Sequence, residues 1–332
     1  MFDIITIGSA TFDIFVQSED EQIVTVRTPE LKREFLAFEY GEKIDINKVD
    51  YELGGGGSNT AVNFANLGFK TAVIVKIGKD VNSNLILNNF KKCNVSTDLI
   101  KTSQSQKTGF SVILATFDGD RTVLAHRGAN TEITEADIPY NVIKEAKWLY
   151  IAPLSGNSNQ VLDPITDFAE KHGVSMAYNV GSTSIKLGLE RMRKVIETAE
   201  VLIMNRSEAS KITNEYDINK MLTILHNAEA KVVVITDGKD GAYAYDGKIV
   251  YKIDTFPSNV VSTLGAGDAF ASTFVGTIAK YGYDIERAMK YASVNSACVV
   301  QHFGAQEEFR TFDQIEEMLL HHPGYTAEKY TI

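Results

Sequence analysis

The regular alternation of short apolar runs with segments of helical periodicity constrains this fold more than any other feature of the sequence. Strands are predicted at residues 2–8, 71–77, 147–152, 175–179, 201–204 and 231–236. Helices are predicted at residues 58–67, 81–92, 158–172, 266–281, 284–300 and 313–321. Because strands separated by helices of this length form βαβ units, we expect an α/β fold with a mostly parallel sheet covered on both faces.

Two stretches interrupt this alternation. Residues 12–53 contain short alternating segments such as 23–27 and 35–38, and residues 108–125 contain two strand patterns around Asp118-Gly119-Asp120, a hairpin signal. Both have a period of about two residues, so each strand has one solvated face. We expect them to form one small β-layer over the core, a candidate lid. The alternative is two surface hairpins without a functional role.

Charge and composition exclude several classes of protein. The 332 residues include 33 Lys plus Arg and 43 Asp plus Glu, a net charge of −10, which argues against binding to nucleic acid or to an anionic membrane surface. The sequence contains no run of 18 apolar residues, so it predicts no membrane-spanning helix. The scarcity of cysteine and the lack of a basic N-terminal region favour the cytoplasm.

The cysteines and histidines show no metal-binding or disulfide pattern. Cys93 and Cys298 are the two cysteines, and we expect both to be buried small hydrophobic residues. The six histidines lack ligand spacing, so no metal site is assigned to them.

A run of four glycines, Gly54 to Gly57, followed by Ser58-Asn59, precedes the first clear helix. Glycines allow a ligand to approach the backbone, and a helix start offers free N–H groups. Asn59 is suited to hydrogen-bond a hydroxyl-rich ligand. The alternative is a flexible linker with Ser58 as helix N-cap. The run matches neither a dinucleotide fingerprint nor a Walker A loop.

The segment Gly265-Ala266-Gly267-Asp268 precedes the long helix predicted after residue 265. Small residues at a helix N-terminus expose N–H donors, and the helix dipole adds partial positive charge, which suits a transferring phosphoryl group. Asp268 lies where a general base could accept a hydroxyl proton. The alternative is an acidic residue favoured in a first helical turn by the dipole alone.

The turn at residues 236–241 follows an apolar strand, and turns at the carboxyl ends of strands are where α/β sheets bind ligands. The Thr236 hydroxyl and the N–H groups near Gly238 and Gly241 are candidates to hold phosphates. The alternative is an ordinary Asp-Gly turn.

Three acidic or amide residues follow other strands. Asn205 and Glu208 are three positions apart and are candidates to hold Mg²⁺ through water, with a helix-capping arrangement as the alternative. Asp13 closes the first strand and is a candidate acceptor for sugar hydroxyls, or a simple turn residue.

In their order and placement, these motifs resemble the ribokinase, or PfkB-type, carbohydrate kinase family over nearly the whole chain. Asn179-Val180-Gly181 and Gly304-Ala305 extend the match, and the Gly-Ala-Gly-Asp segment is its most specific part. The resemblance implies a three-layer α/β/α core at residues 1–13, 54–105 and 129–332. It also implies a β-sheet lid at residues 14–53 and 106–128, through which two subunits would form a homodimer.

The resemblance further implies transfer of the ATP γ-phosphate to a hydroxymethyl group of a sugar or nucleoside. Asp268 would be the base, with an anion hole formed by Gly265, Ala266 and Gly267. The residues implied for the nucleotide and Mg²⁺ are Asn205, Glu208, Thr236, Gly238 and Gly241. The residues implied for substrate hydroxyls are Asp13, Gly55, Gly56 and Asn59.

Three positions depart from the family pattern. Gly56 stands where ribokinases proper carry Lys, which puts ribose itself in doubt, and Val180 replaces Pro. Ser262 replaces the Asp of a monovalent-cation site, so we expect little dependence on K⁺, unless a neighbour such as Thr263 restores the site.

Other functions remain open at this stage. A nucleoside kinase would need an aromatic lid residue to stack on a base, and Phe12, Phe15 and Phe110 are candidates. A phosphosugar substrate would need basic residues in the pocket, and Arg121 and Arg127 are candidates. The alternative is that both are ordinary surface residues. The intact Gly-Ala-Gly-Asp segment disfavours a non-catalytic sugar-binding protein, and the missing G-x-G-x-x-G disfavours a dehydrogenase.

Overall fold

A computed structural model describes residues 1–18, 22–28, 31–115 and 121–332. The Asp118-Gly119-Asp120 turn lies outside these residues. The strands are β1 (Ile4–Ile7), β2 (Thr11–Gln17), β3 (Gln22–Thr28), β4 (Leu31–Ala37), β5 (Lys48–Gly54), β6 (Thr71–Ile74), β7 (Lys76–Ile77), β8 (Lys101–Thr102), β9 (Gly109–Ala115), β10 (Arg121–His126), β11 (Trp148–Ile151), β12 (Ser175–Asn179), β13 (Val201–Asn205), β14 (Val232–Thr236), β15 (Ala242–Tyr245), β16 (Val250–Ile253) and β17 (Glu328–Tyr330).

The α-helices are α1 (Gly56–Asn66), α2 (Val81–Lys92), α3 (Tyr140–Ile143), α4 (Leu162–His172), α5 (Ser182–Ile185), α6 (Leu189–Thr198), α7 (Arg206–Thr213), α8 (Ile218–Asn227), α9 (Ala266–Tyr281), α10 (Ile285–Val299) and α11 (Phe312–Leu320). Short 3₁₀ helices span Gly128–Thr131, Glu135–Asp137, Gly156–Val161 and Gly238–Asp240. In the described part of the chain, none of these helices is long and apolar enough to cross a bilayer.

The central sheet of the described residues has nine strands in the order β17-β16-β15-β14-β13-β12-β11-β1-β6. Six strands of this sheet pair in parallel, namely β6, β1, β11, β12, β13 and β14. Strands β15, β16 and β17 add an antiparallel edge. The predicted mostly parallel sheet is therefore confirmed. The antiparallel strands β16 and β17 were not predicted.

Helices cover both faces of this sheet because its strands are apolar on both sides. Along β1, Ile5 and Ile7 pack in a core cluster with α4, α6 and α8, whereas Ile4 packs in a second cluster with α1, α9 and α10. This arrangement confirms the predicted α/β/α layers.

The period-two segments form two sheets, so the prediction of one small β-layer is wrong in that respect. One sheet has the order β10-β9-β2-β5, and β3 pairs with β4 in a separate antiparallel sheet. Strands β3 and β4 are neighbours in sequence, and closing a short loop costs little entropy, which favours their mutual pairing. We call the four-stranded sheet the lid sheet. The division of the chain into core and lid at the predicted boundaries stays a prediction.

Both cysteines are free thiols. Cys298 is buried, as expected, but Cys93 is only half-buried, because it caps the end of α2, so the expectation is wrong for Cys93. No group of three or more His, Cys, Asp or Glu side chains is arranged to hold a metal ion within residues 1–18, 22–28, 31–115 and 121–332.

Candidate active site

Helix α9 begins with exposed backbone donors, as the sequence predicted. Its N-cap is Gly265, and its first helical bond runs from Ala269 N to Gly265 O at 2.8 Å. The N–H groups of Ala266, Gly267 and Asp268 precede that bond, and Ala266 N makes a long 3.4 Å bond to Thr263 O. These N–H groups and the helix dipole make the start of α9 suited to an anion.

The Asp268 carboxylate is held from the side by Asn59. Asn59 Nδ2 donates to Asp268 Oδ2 at 2.7 Å, which joins the start of α9 to α1. Burial raises the pKa of Asp268, and the bond from Asn59 lowers it. The second oxygen borders Gly56, where an added methyl group would lie 3.5 Å from Asp268 Oδ1. The missing side chain at Gly56 therefore leaves space beside the carboxylate.

The glycine run sets the start of α1 against the end of β1. Gly55 is the N-cap with φ 93°, and a Cβ there would lie 2.6 Å from Ser9 O. A Cβ at Gly57 would lie 2.8 Å from Gly8 Cα. The alternative in which Ser58 caps the helix is wrong, because the N-cap is Gly55 and Ser58 lies within the helix.

Asp13 lies on β2 of the lid sheet and is buried. Its Oδ2 accepts a 3.3 Å bond from Thr11 Oγ1, and its Oδ1 has no hydrogen-bond partner among the described residues. Burial raises the pKa of Asp13. Because a buried acceptor without a partner costs free energy, this oxygen is suited to a ligand hydroxyl.

A cavity of about 620 Å³ opens beside the start of α9. Six residues predicted for phosphate or nucleotide contact line it: Asn205, Thr236, Gly238, Gly241, Ala266 and Gly267. Its apolar wall contains residues that the sequence analysis did not identify: Phe256, Pro257, Val260, Phe270, Ala297 and Val300. The cavity therefore combines a polar end with an apolar chamber, as a nucleotide requires.

Asn205 and Glu208 form a helix-capping box at the start of α7. Glu208 Oε2 accepts from Asn205 N at 3.0 Å, and Asn205 Oδ1 accepts from Glu208 N at 2.9 Å. Burial raises the pKa of Glu208. Glu208 Oε2 is engaged in this capping box. A magnesium ion beside Glu208 therefore fits when Glu208 contacts the ion through water and phosphate oxygens are its direct ligands.

Ser262 lies in the loop before α9. It is buried, its N–H donates to Val300 O at 3.0 Å, and its Oγ accepts from Leu264 N at 3.2 Å. The hydroxyl therefore satisfies the backbone of its own loop.

Arg121 and Arg127 of the predicted lid each donate a hydrogen bond to a loop of the core. Arg121 Nη2 donates to Thr263 Oγ1 at 2.8 Å, and Thr263 lines the 620 Å³ cavity. Arg127 Nη1 donates to Ser155 Oγ at 2.9 Å, beyond the end of β11. Arg121 therefore brings positive charge to the cavity, and Arg127 brings positive charge to the loop after β11.

The aromatic candidates of the lid sheet divide between its faces. Phe12 pairs in register with Phe110, and both are half-buried. Phe15 lies on the opposite face, is buried, and packs edge-to-face on Phe303 at 6.3 Å. Phe15 is thus engaged in packing against Phe303, and Phe12 and Phe110 keep accessible surface.

Sequence reasoning missed two polar residues of this region. Gln306 Nε2 donates to Asn59 Oδ1 at 3.0 Å, and Glu52 of the lid sheet lies against Gly304. Gln306 directly follows the Gly304-Ala305 motif, which was the available signal.

Comparison with known proteins adds the family. Residues 21–311 match the family described as pfkB family carbohydrate kinase. Ribokinase of Bacillus subtilis (strain 168) is 28% identical over 321 residues, covering 96% of this chain and 100% of that protein. The 5-dehydro-2-deoxygluconokinase of Geobacillus thermodenitrificans (strain NG80-2) is 28% identical over 288 residues, covering 81% and 84%.

A solved structure shows the same fold. Arabidopsis thaliana ribokinase complexed with ribose and ATP has a TM-score of 0.79 at 21% identity, covering 95% of this chain and 98% of that one. The chain belongs to the pfkB family of carbohydrate kinases. It is a phosphotransferase with an alcohol group as acceptor.

Proposed function

We propose that the protein transfers the γ-phosphate of ATP to a hydroxymethyl group of a sugar, with Asp268 as the general base. The observation that carries this proposal is the Asp268 carboxylate, bound by Asn59 at 2.7 Å, at a helix start that lines a 620 Å³ cavity. The Arabidopsis ribokinase with bound ATP supports ATP as the donor.

In this mechanism, the acceptor hydroxyl loses its proton to Asp268 Oδ1 as its oxygen bonds to the γ-phosphorus and the bond to ADP breaks. The N–H groups of Ala266 and Gly267 stabilise charge on the transferring phosphoryl group. When bound, Mg²⁺ would neutralise further phosphate charge, and Asn205 and Glu208 are the residues that would hold it through water. Asp13 and the backbone near Gly55 bind substrate hydroxyls.

We propose an acidic or phosphorylated sugar as the acceptor class. The space beside Gly56 and the guanidinium of Arg127 near Ser155 suit a substrate with an anionic group. The curated relatives include a kinase named for a gluconic acid derivative, at the same identity as the ribokinase.

A nucleoside kinase is the second candidate. The observation that favours it is the in-register pair of Phe12 and Phe110, which offers accessible aromatic surface for a base.

We also propose a homodimer that forms through the lid and functions in the cytoplasm. Strands β3 and β4 expose apolar side chains, with Val24 46%, Val26 49% and Phe35 49% exposed. Exposed apolar β-surface favours association. Sedimentation that shows a monomer at micromolar concentration would contradict the dimer.

The test is a phosphorylation screen of purified protein with ATP and Mg²⁺ against pentoses, hexoses, sugar acids, phosphosugars and nucleosides. Acceptor-dependent release of ADP, with a new phosphomonoester in the ³¹P spectrum, supports the proposal. An Arg127→Ala variant raises KM for an anionic acceptor and leaves KM for a neutral one unchanged. A protein that binds sugar without acceptor-dependent ADP release would contradict a kinase.

A further inference from the structure

Gln306 connects the candidate base to two other elements through a directed set of hydrogen bonds. Its Nε2 donates to Asn59 Oδ1 at 3.0 Å and to Ser58 Oγ at 2.8 Å. Its Oε1 accepts from Asn89 Nδ2 of α2 at 2.7 Å. Asn59 in turn donates to Asp268 at 2.7 Å. Four separate elements, α1, α2, α9 and the segment after α10, therefore meet through these amides.

The chemistry of the carboxylate fixes the direction of these bonds. An ionised carboxylate accepts hydrogen bonds and cannot donate, so Asn59 must turn its Nδ2 toward Asp268. Asn59 Oδ1 then faces away and needs a donor, which Gln306 Nε2 supplies. A reversed Gln306 amide would place two oxygens together at Asn59 and two NH₂ groups together at Asn89. Gln306 thus selects one of the two orientations of the Asn59 amide.

We propose that Gln306 is a positioning residue for the base, holding Asn59 so that its Nδ2 faces Asp268. This inference rests on the proposed function of Asp268. The segment that carries Gln306 is itself fixed at two points: Ala305 packs against Gly265, and Phe303 packs on Phe15 of the lid sheet. Gln306 acts through Asn59 and is not a catalytic residue.

The charge state of Asp268 reports this positioning. Without the Gln306 donor, the Asn59 amide can turn its oxygen toward the carboxylate, which raises the pKa of Asp268. Tyr150 of β11 also faces Asp268, and burial holds its pKa well above its usual range, so it stays neutral. Glu52 of β5 and Glu307 of the Gln306 segment are the acidic groups on the far side, around Gly304.

The experiment compares Gln306→Met, which keeps the volume without the donor, with Gln306→Glu, which replaces the donor by a carboxylate. Asn89→Ala is a milder variant at the outer end of the bonds. Glu308→Gln is the control, because it disturbs the exposed Glu308–Arg310 ion pair of the same segment without contacting Asn59. Profiles of kcat against pH are also measured in a Glu52→Gln background, so that Glu52 does not contribute to the acid limb.

We expect Gln306→Met to lower kcat by about 10- to 100-fold. Its acid limb should move upward by about half to one pH unit, with KM for ATP within about twofold. Gln306→Glu should be more impaired, Asn89→Ala less impaired, and Glu308→Gln should match wild type. A role in packing alone predicts normal kcat and an unmoved acid limb in Gln306→Met, and that result would overturn the proposal.

A second readout separates this proposal from the proposed function. In protein with ¹³C-labelled Asp carboxyl groups, the Asp268 signal is identified by its loss in Asp268→Asn and is titrated without substrate. A higher titration midpoint in Gln306→Met supports positioning by Gln306, and an unchanged midpoint overturns it. If wild-type protein phosphorylates no acceptor, the proposed function fails, and this titration still decides the role of Gln306.

Discussion

Gly265 and Ala305 approach so closely that a Cβ on Gly265 would lie 2.6 Å from the Cβ of Ala305. Gly265 also has φ 78°, in the left-handed region that glycine tolerates best. The start of α9, which presents the N–H groups of the proposed anion hole, is therefore packed tightly against the segment after α10.

Gly265→Ala should destabilise the protein through both backbone strain and the clash with Ala305. We expect a loss of about 2 kcal/mol, seen as a fall in Tm of roughly 3 °C for a chain of 332 residues. Gly267→Ala is the matched control, because a Cβ at Gly267 meets open space. Its stability should stay within about 0.5 kcal/mol of wild type.

Gly267→Ala should instead impair the use of ATP, because Gly267 lines the cavity and the added methyl group would enter the proposed phosphate site. We expect kcat/KM for ATP to fall by about tenfold, equivalent to ~1.4 kcal/mol. Thermal melts and steady-state kinetics of the two variants measure both effects. Equal effects of the two substitutions on Tm would contradict this account of Gly265.

Glu52 should make stability depend on pH near neutrality. Burial, together with the negative charges of Glu307, Asp50 and Asp13, raises the pKa of Glu52 to about 7. Between its ordinary pKa and about 7, the folded state binds the proton more tightly than the unfolded state. Stability contributed by this group therefore decreases as pH rises through that window.

Glu52→Gln removes this penalty, so the variant should melt higher than wild type above pH 7, by about 2 °C. Below the ordinary pKa of a glutamate, the two proteins should melt at similar temperatures. Melting curves at several pH values measure the difference. A difference in Tm that does not change with pH would show that the effect is not ionisation of Glu52.

Potassium should have little effect on the rate. The Ser262 hydroxyl accepts a hydrogen bond from Leu264 N and holds its loop without a cation. A neutral hydroxyl also offsets less of the free-energy cost of desolvating an ion than a carboxylate does. Initial rates are measured against KCl at constant ionic strength, with a large organic cation as the balancing salt. A several-fold saturable rise with K⁺ would contradict this prediction.

The sequence predicted the helices and strands whose apolar pattern lies within consecutive residues. The predicted helix at residues 266–281 and the predicted strand at residues 175–179 coincide with α9 and β12. Strand β17, by contrast, is Glu-Lys-Tyr, which has no apolar run, and it forms by pairing with β16 about 80 residues earlier. Such an edge strand depends on tertiary pairing that sequence periodicity does not encode.

The site shows the same division. Asp268 and Asn59 were each predicted from a neighbouring glycine motif, but the hydrogen bond between them joins residues 209 positions apart and required the fold. Gln306 belongs to none of the motifs that the sequence analysis identified, and the role proposed for it rests on contacts to two other elements. The apolar wall of the cavity proposed for the nucleotide was missed because its residues come from several separate segments.

The most direct test of the central claim is kcat of Asp268→Asn with the acceptor found by the phosphorylation screen. The substitution is isosteric and retains an oxygen for the bond from Asn59, so Tm and the binding of ATP should be close to wild type. We expect kcat to fall by at least ~10²-fold, because positioned proton transfer contributes about 10²–10⁴ to rate. A variant with near wild-type kcat would contradict the assignment of Asp268 as the base and the mechanism built on it.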